Sequence, residues 1–165
     1  MNILQEHMRI HKPSIIGLVE TRISGRRAQE VCDKIGFTNC FRVEAQGFQE
    51  GIWVLWNSHE VEAEIIDSRD QFVIMEIIPP KRRSWLLTVI YASPHFHLRD
   101  ALWQDLQRYD TDYHKPWLLA GDFNETVCLE ERNHGRPEML RRCNRFKYWI
   151  ENNRLIDLGF SGPKF

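Results

Sequence analysis

Apolar residues in this chain fall into short continuous runs separated by amphipathic stretches, the alternation from which layered α/β folds are built. Ile3, Leu4, His7 and Met8 share one face of a helix over residues 3–11, and Pro13 stops it. Residues 14–19 (Ser-Ile-Ile-Gly-Leu-Val) then read as a buried strand that delivers Glu20 and Thr21 at its end. Ser24 is placed to cap a helix that carries Ala28, Val31, Cys32 and Ile35 on one face and ends at Gly36. Three strand-like runs follow at residues 51–57, 61–67 and 71–78, with only a few polar residues between them, which predicts an antiparallel meander.

The second half repeats the scheme. Residues 85–90 (Trp-Leu-Leu-Thr-Val-Ile) form another apolar run and hand over to Tyr91. Leu98, Ala101, Leu102, Leu106 and Tyr109 trace the apolar stripe of a helix. Residues 117–120 (Trp-Leu-Leu-Ala) are a strand broken by Gly121, with Asp122 and Asn124 directly behind. After a polar stretch at 130–137, Met139, Leu140, Cys143, Phe146, Trp149 and Ile150 predict a last helix, and residues 155–160 a last strand.

At 165 residues the chain suits a single domain with one buried core. A formal net charge of -1 gives no overall field that attracts nucleic acid, so such binding has to come from local patches. Two exist: the turn Lys81-Arg82-Arg83, and the face of the last helix carrying Arg141, Arg142, Arg145 and Lys147. Each is either a phosphate-contacting surface or an ordinary solvated one. The four cysteines lack CxxC spacing, which implies free thiols in a reducing compartment. His95 and His97 lack further ligands at metal spacing and read as a polar loop. No apolar leader or membrane-length run is present, so the expectation is a soluble intracellular monomer.

The chemistry gathers where strands end. Residues two apart on a strand share a face, so Asp122 and Asn124 are expected to project together while Phe123 turns to the core. Such a carboxylate can hold or deprotonate a water or bind a hard cation, and the amide can donate to a phosphoryl oxygen; the same residues also suit an Asx turn. Glu20 is either a ligand or a plain strand terminator, and Tyr91 either a catalytic phenol or amphipathic packing. Oxygen ligands without thiolates favour a cation such as Mg²⁺, and a phenol and an amide suit a developing negative charge.

Four ordered blocks carry a resemblance: Pro-Ser-Ile-Ile-Gly-Leu-Val-Glu-Thr-Arg from Pro13, Trp-Leu-Leu-Thr-Val-Ile-Tyr-Ala-Ser-Pro from Trp85, Trp-Leu-Leu-Ala-Gly-Asp-Phe-Asn-Glu from Trp117, and Leu-Ile-Asp-Leu-Gly-Phe-Ser-Gly-Pro-Lys-Phe from Leu155. Together they resemble the endonuclease/exonuclease/phosphatase (DNase I-like) superfamily, and more narrowly the apurinic-endonuclease-type domain of plant non-LTR (LINE) retrotransposons. The resemblance implies a four-layer α/β sandwich with mixed sheets flanked by helices, and Mg²⁺- or Mn²⁺-dependent cleavage of DNA phosphodiesters. It implies a metal-binding role for Glu20 and contact with the scissile phosphate for Tyr91. Asp122 would orient or deprotonate the attacking water, with Asn124 as its partner. Nuclear residence and a place in a longer reverse-transcriptase polyprotein are implied in the same way.

The departures shape the expectation further. Members of that superfamily open with a strand bearing an Asn-centred motif, and they close with an aspartate and a Ser-Asp-His-type motif. Here the helical pattern runs from the first residues, and none of the seven His stands in that setting. The domain is therefore expected to lack the first strand and the C-terminal strands, to be inactive or weakly active, and to be poorly soluble because the strand at 14–19 has an unpaired edge. The rival expectations are a non-enzymatic retrotransposon remnant that at most binds nucleic acid, and a phosphatase of the same superfamily.

Overall fold

Helix α1 (Ile3–His11) ends ahead of Pro13, and the chain then enters strand β1 (Ile15–Thr21). The structure is a computed structural model that describes residues 3–46, 50–131 and 137–159. They divide into two compact units, one made of Met1–Ala92 with Lys115–Asp122, the other of Ser93–His114 with Phe123–Phe165. After β1 the first unit continues with α2 (Gly25–Ile35), β2 (Asn39–Val43), β3 (Gly51–Trp56), β4 (Glu62–Arg69), β5 (Phe72–Ile78) and β6 (Trp85–Tyr91). The second unit contributes α3 (Phe96–Tyr113), the chain returns to the first for β7 (Trp117–Asp122), and α4 (Leu140–Asn152) again lies in the second.

Two sheets make up the first unit: one in the order β1-β3-β2, the other in the order β4-β5-β6-β7. The α/β class expected from the sequence is present, with antiparallel pairing throughout except for the parallel pair β6 and β7. β3 shows how the layers are coded. Its even positions, Ile52 and Val54, join Val73, Met75, Ile77, Leu87 and Val89 in a core between the sheets. Its odd positions, Trp53 and Leu55, pack on Ala28 and Cys32 of α2 on the opposite face. Both faces are buried, so the strand reads as a continuous apolar run, and each buried side chain contributes about 1.5–3 kcal/mol.

α2 begins after Ser24, which sits at the N-cap position with extended backbone and no side-chain cap bond. It closes at Gly36, where φ is 90° and the N–H donates to the Cys32 carbonyl at 3.2 Å, a left-handed turn that glycine adopts without strain.

Two expectations need correction, and one strand was not foreseen. The meander is β4-β5-β6, whereas β3 pairs with β1 and β2 in the other sheet. A few polar residues between β3 and β4 bridge two sheets as readily as they turn a hairpin. Strand β2 escapes the apolar pattern because Arg42, paired with Glu44 at 2.8 Å and Gln29 at 2.7 Å, interrupts the short run Cys40, Phe41 and Val43. The last expected strand does not form over its described residues 155–159: Ile156 and Leu158 are about four-fifths exposed, and Asp157 instead accepts the Gly159 N–H at 2.8 Å in a local turn. Phe160 lies outside the described residues. β1 is an edge strand among the described residues, as expected.

In the second unit Leu102 and Leu106 are buried on α3, but Leu98 and Ala101 of the expected stripe are exposed, and Arg99 is fully buried in their stead. Arg99 donates to the Ser93 carbonyl at 2.6 Å and to Glu125 at 2.9 Å, and Arg142 reaches the same carboxylate oxygen at 3.3 Å. Sequence periodicity counts such an arginine as solvent-facing because its buried partner is remote in the chain. Phe123, Trp103, Phe146 and Trp149 form an aromatic cluster in this unit. No helix among the described residues is long and apolar enough to cross a membrane.

Candidate functional site

The site is assembled at one rim of the first unit. In β1 the pairing with β3 runs from Ile15 opposite Trp56 to Leu18 opposite Trp53, then skips to Thr21 opposite Gly51. Val19 and Glu20 thus face a single partner residue, a β-bulge, and Glu20 takes a positive φ of 58°. A bulge bends the strand and redirects the side chain at the extra position, and here that side chain is an exposed glutamate. Gly51 allows the close pairing that follows: a β-carbon there would lie 2.5 Å from the Thr21 hydroxyl and 2.6 Å from the Val43 carbonyl.

Glu50 precedes Gly51, so it stands at the same end of the sheet as Glu20, because β3 enters where the antiparallel β1 leaves. Its Oε2 accepts the Tyr91 hydroxyl at 2.8 Å and its Oε1 accepts Arg22 Nε at 2.7 Å. That bond links the two sheets. Tyr91 in turn is the last residue of β6 and pairs with Asp122, the last residue of β7. The Ala92 N–H donates to the Asp122 carbonyl at 2.8 Å and extends the parallel ladder one step past Tyr91. Gly121 is required at this point: with φ at 138°, a β-carbon would fall 2.0 Å from the Ile90 carbonyl oxygen.

Glu20, Glu50, Tyr91 and Asp122 are therefore joined through two register pairs and one hydrogen bond. The phenol registers all of them. Burial first, then the hydrogen bond to Glu50, then the charges of Glu50, Glu20 and Asp122 hold Tyr91 well above the usual range for a tyrosine. Each carboxylate disfavours a second negative charge on the phenolate. At neutral pH the hydroxyl is a proton donor pointed at an anion.

Asn124 belongs to the second unit and takes a left-handed φ of 46°. The strand stops at Asp122, so the two-residue alternation that placed Asn124 beside it does not extend that far. Asparagine tolerates this backbone better than other non-glycine residues. Phe123 turns into the aromatic cluster of the second unit.

Glu50 was not foreseen. Attention to strand exits overlooks a polar residue at a strand entrance, and only the antiparallel pairing of β1 with β3 shows that the two share a rim. The basic face of α4 is largely engaged within the protein: Arg142 with Glu125, Arg145 with Asp100 at 2.6 Å and over the Phe96 ring at 4.8 Å, and Lys147 with Glu151 at 3.9 Å. His95 and His97 join no metal-binding group, and no cluster of three or more His, Cys, Asp or Glu is set to hold a metal among the described residues. The four cysteines are free thiols.

No protein-family model matches the sequence, and no curated protein matches it. Solved structures do. The endonuclease domain of TRAS1, a telomere-specific non-LTR retrotransposon, superposes with a TM-score of 0.70 at 14% identity, covering 96% of this chain and 68% of that one. The AP endonuclease LMAP from Leishmania major gives 0.65 at 15% identity, over 91% of this chain and 60% of that one. TDP2 from D. rerio complexed with a single-strand DNA product gives 0.54 at 14% identity, over 94% of this chain and 58% of that one.

Proposed function

We propose that this chain, whose fold is that of the DNase I-like endonuclease/exonuclease/phosphatase superfamily, is a metal-dependent phosphodiesterase domain that acts on DNA, of the non-LTR retrotransposon kind. The observation that supports this most is the rim itself: an exposed glutamate in a bulge, a protonated phenol and a strand-end aspartate brought together from three strands. In this reading Tyr91 donates its hydroxyl to a non-bridging phosphoryl oxygen. Asp122 accepts a proton from the water that attacks phosphorus as the P–O bond to the leaving sugar oxygen breaks. Asn124, two residues on in the chain, donates to the water or the phosphate.

The donor set fits a hard cation. Its ligating groups are carboxylate oxygens, and Mg²⁺ or Mn²⁺ bound beside a substrate phosphate needs only one or two of them, a requirement Glu20 meets from its exposed position. When bound, such an ion supplies Lewis-acid stabilisation of charge on the phosphoryl and leaving oxygens. Within these 165 residues no His stands in a Ser-Asp-His setting, so their turnover on their own is weak. A nuclear DNA target and a longer reverse-transcriptase polyprotein as parent belong to the same proposal.

The internal pairing of Arg142, Arg145 and Lys147 weighs against a remnant that binds nucleic acid through α4. The test is nicking of supercoiled plasmid with Mg²⁺, with Asp122→Ala and a chelator as controls. A slow rate that both controls abolish is expected. Equal rates for the chain and Asp122→Ala would contradict the proposal.

A further inference from the structure

Two donors suited to a phosphoryl oxygen, the Tyr91 hydroxyl and the Arg22 guanidinium, are both taken by one carboxylate of the chain itself. Glu50 spreads its two oxygens across them at 2.8 and 2.7 Å. A carboxylate bridging a phenol and a guanidinium occupies the positions that two oxygens of a phosphate would need. The two side chains differ in freedom, since Glu50 is 18% exposed and Arg22 76%. The glutamate is part of the wall, and the arginine lies over it from the solvent side.

The charges around this contact strengthen the point. Glu20, Glu50 and Asp122 all act on the Tyr91 phenol, and Arg22 is the cation paired with Glu50. An arriving phosphate therefore meets a negative rim whose best donors are already engaged. Resting on the phosphodiesterase function proposed above, we infer that Glu50 is an internal competitor for the substrate phosphate, holding Tyr91 and Arg22 until a phosphate displaces it from both. It is a residue that sets affinity and specificity: dianionic monoester ends are repelled more than the singly charged diester within a DNA strand.

The experiment measures binding of inorganic phosphate by calorimetry to the chain and to Glu50→Gln and Glu50→Asp, with circular dichroism as the check on folding. Glu50→Gln removes the competing charge, so phosphate should bind roughly tenfold tighter or better, the difference one charge-assisted hydrogen bond makes. Glu50→Asp keeps the charge but cannot reach both donors, and should fall between; it carries the test if Glu50→Gln does not fold. Phosphate binding no tighter in either variant overturns the inference. That readout needs no turnover. Tighter phosphate binding without plasmid nicking keeps the competitor and removes the nuclease, whereas nicking with unchanged phosphate affinity does the reverse.

Discussion

Thr21 and Gly51 pair across β1 and β3 so closely that a β-carbon on Gly51 would sit 2.5 Å from the Thr21 hydroxyl. The tight pair lies directly after the bulge that presents Glu20 and directly after Glu50 on the facing strand. Gly51→Ala must push Thr21 and the Val43 carbonyl aside, and backbone yields poorly to such crowding. A loss of about 2–3 kcal/mol is expected in urea unfolding. Stability equal to that of the unsubstituted chain would mean the pairing is looser than described.

A second consequence concerns acid. In the first unit the Lys115 ammonium bonds to Glu76, and this bond, followed by one from Ser84, holds the Glu76 carboxyl below its ordinary value. A depressed carboxylate contributes stability that is present above its unfolded value, about 4.3, and is lost as pH falls through the folded one. Lys115→Met should therefore cost about 1–2 kcal/mol at pH 7 and markedly less near pH 3. Denaturation curves at the two pH values decide this, and an equal loss at both would assign the Lys115 contribution to packing.

The second unit holds its own buried charge. Arg99 and Glu125 have side chains 1% and 4% exposed, and Arg142 supplies a second, longer contact. Removing Arg99 strips a buried carboxylate of its shorter ion pair, so Arg99→Leu should cost about 3 kcal/mol. Replacing Glu125 as well, in Arg99→Leu with Glu125→Leu, should recover part of that loss because the buried carboxylate is gone and Arg142, whose side chain is 32% exposed, can turn to solvent. A double variant less stable than the single one would contradict this account of the pair.

Apolar runs revealed strands whether or not those strands are buried: β6 is buried along most of its length, whereas the runs read as buried in β1 and β7 are only partly so, and Leu118 is 37% exposed. β1, β6 and β7 announced themselves because short apolar runs end at a charged or phenolic residue, and Glu20, Tyr91 and Asp122 are those residues. β2 stayed hidden because Arg42, held by Glu44 two residues on and by Gln29 of α2, interrupts its apolar residues. Glu50 stayed hidden for a topological reason: it stands one residue before a strand, and only long-range antiparallel pairing carries it to the rim where β1 ends. Alternation placed Asn124 beside Asp122, but the strand ends at Asp122 and Asn124, two positions on, is itself left-handed. Periodicity describes an element only while it lasts.

The central claim is that one rim, built from Glu20 in its bulge and Asp122 across from Tyr91, receives a divalent cation together with a phosphate. Electron paramagnetic resonance of Mn²⁺ titrated into the chain with a short DNA oligonucleotide tests it without requiring turnover. Saturable binding that Glu20→Gln abolishes and Asp122→Asn weakens is the expected result. Mn²⁺ binding unchanged by Glu20→Gln would contradict it.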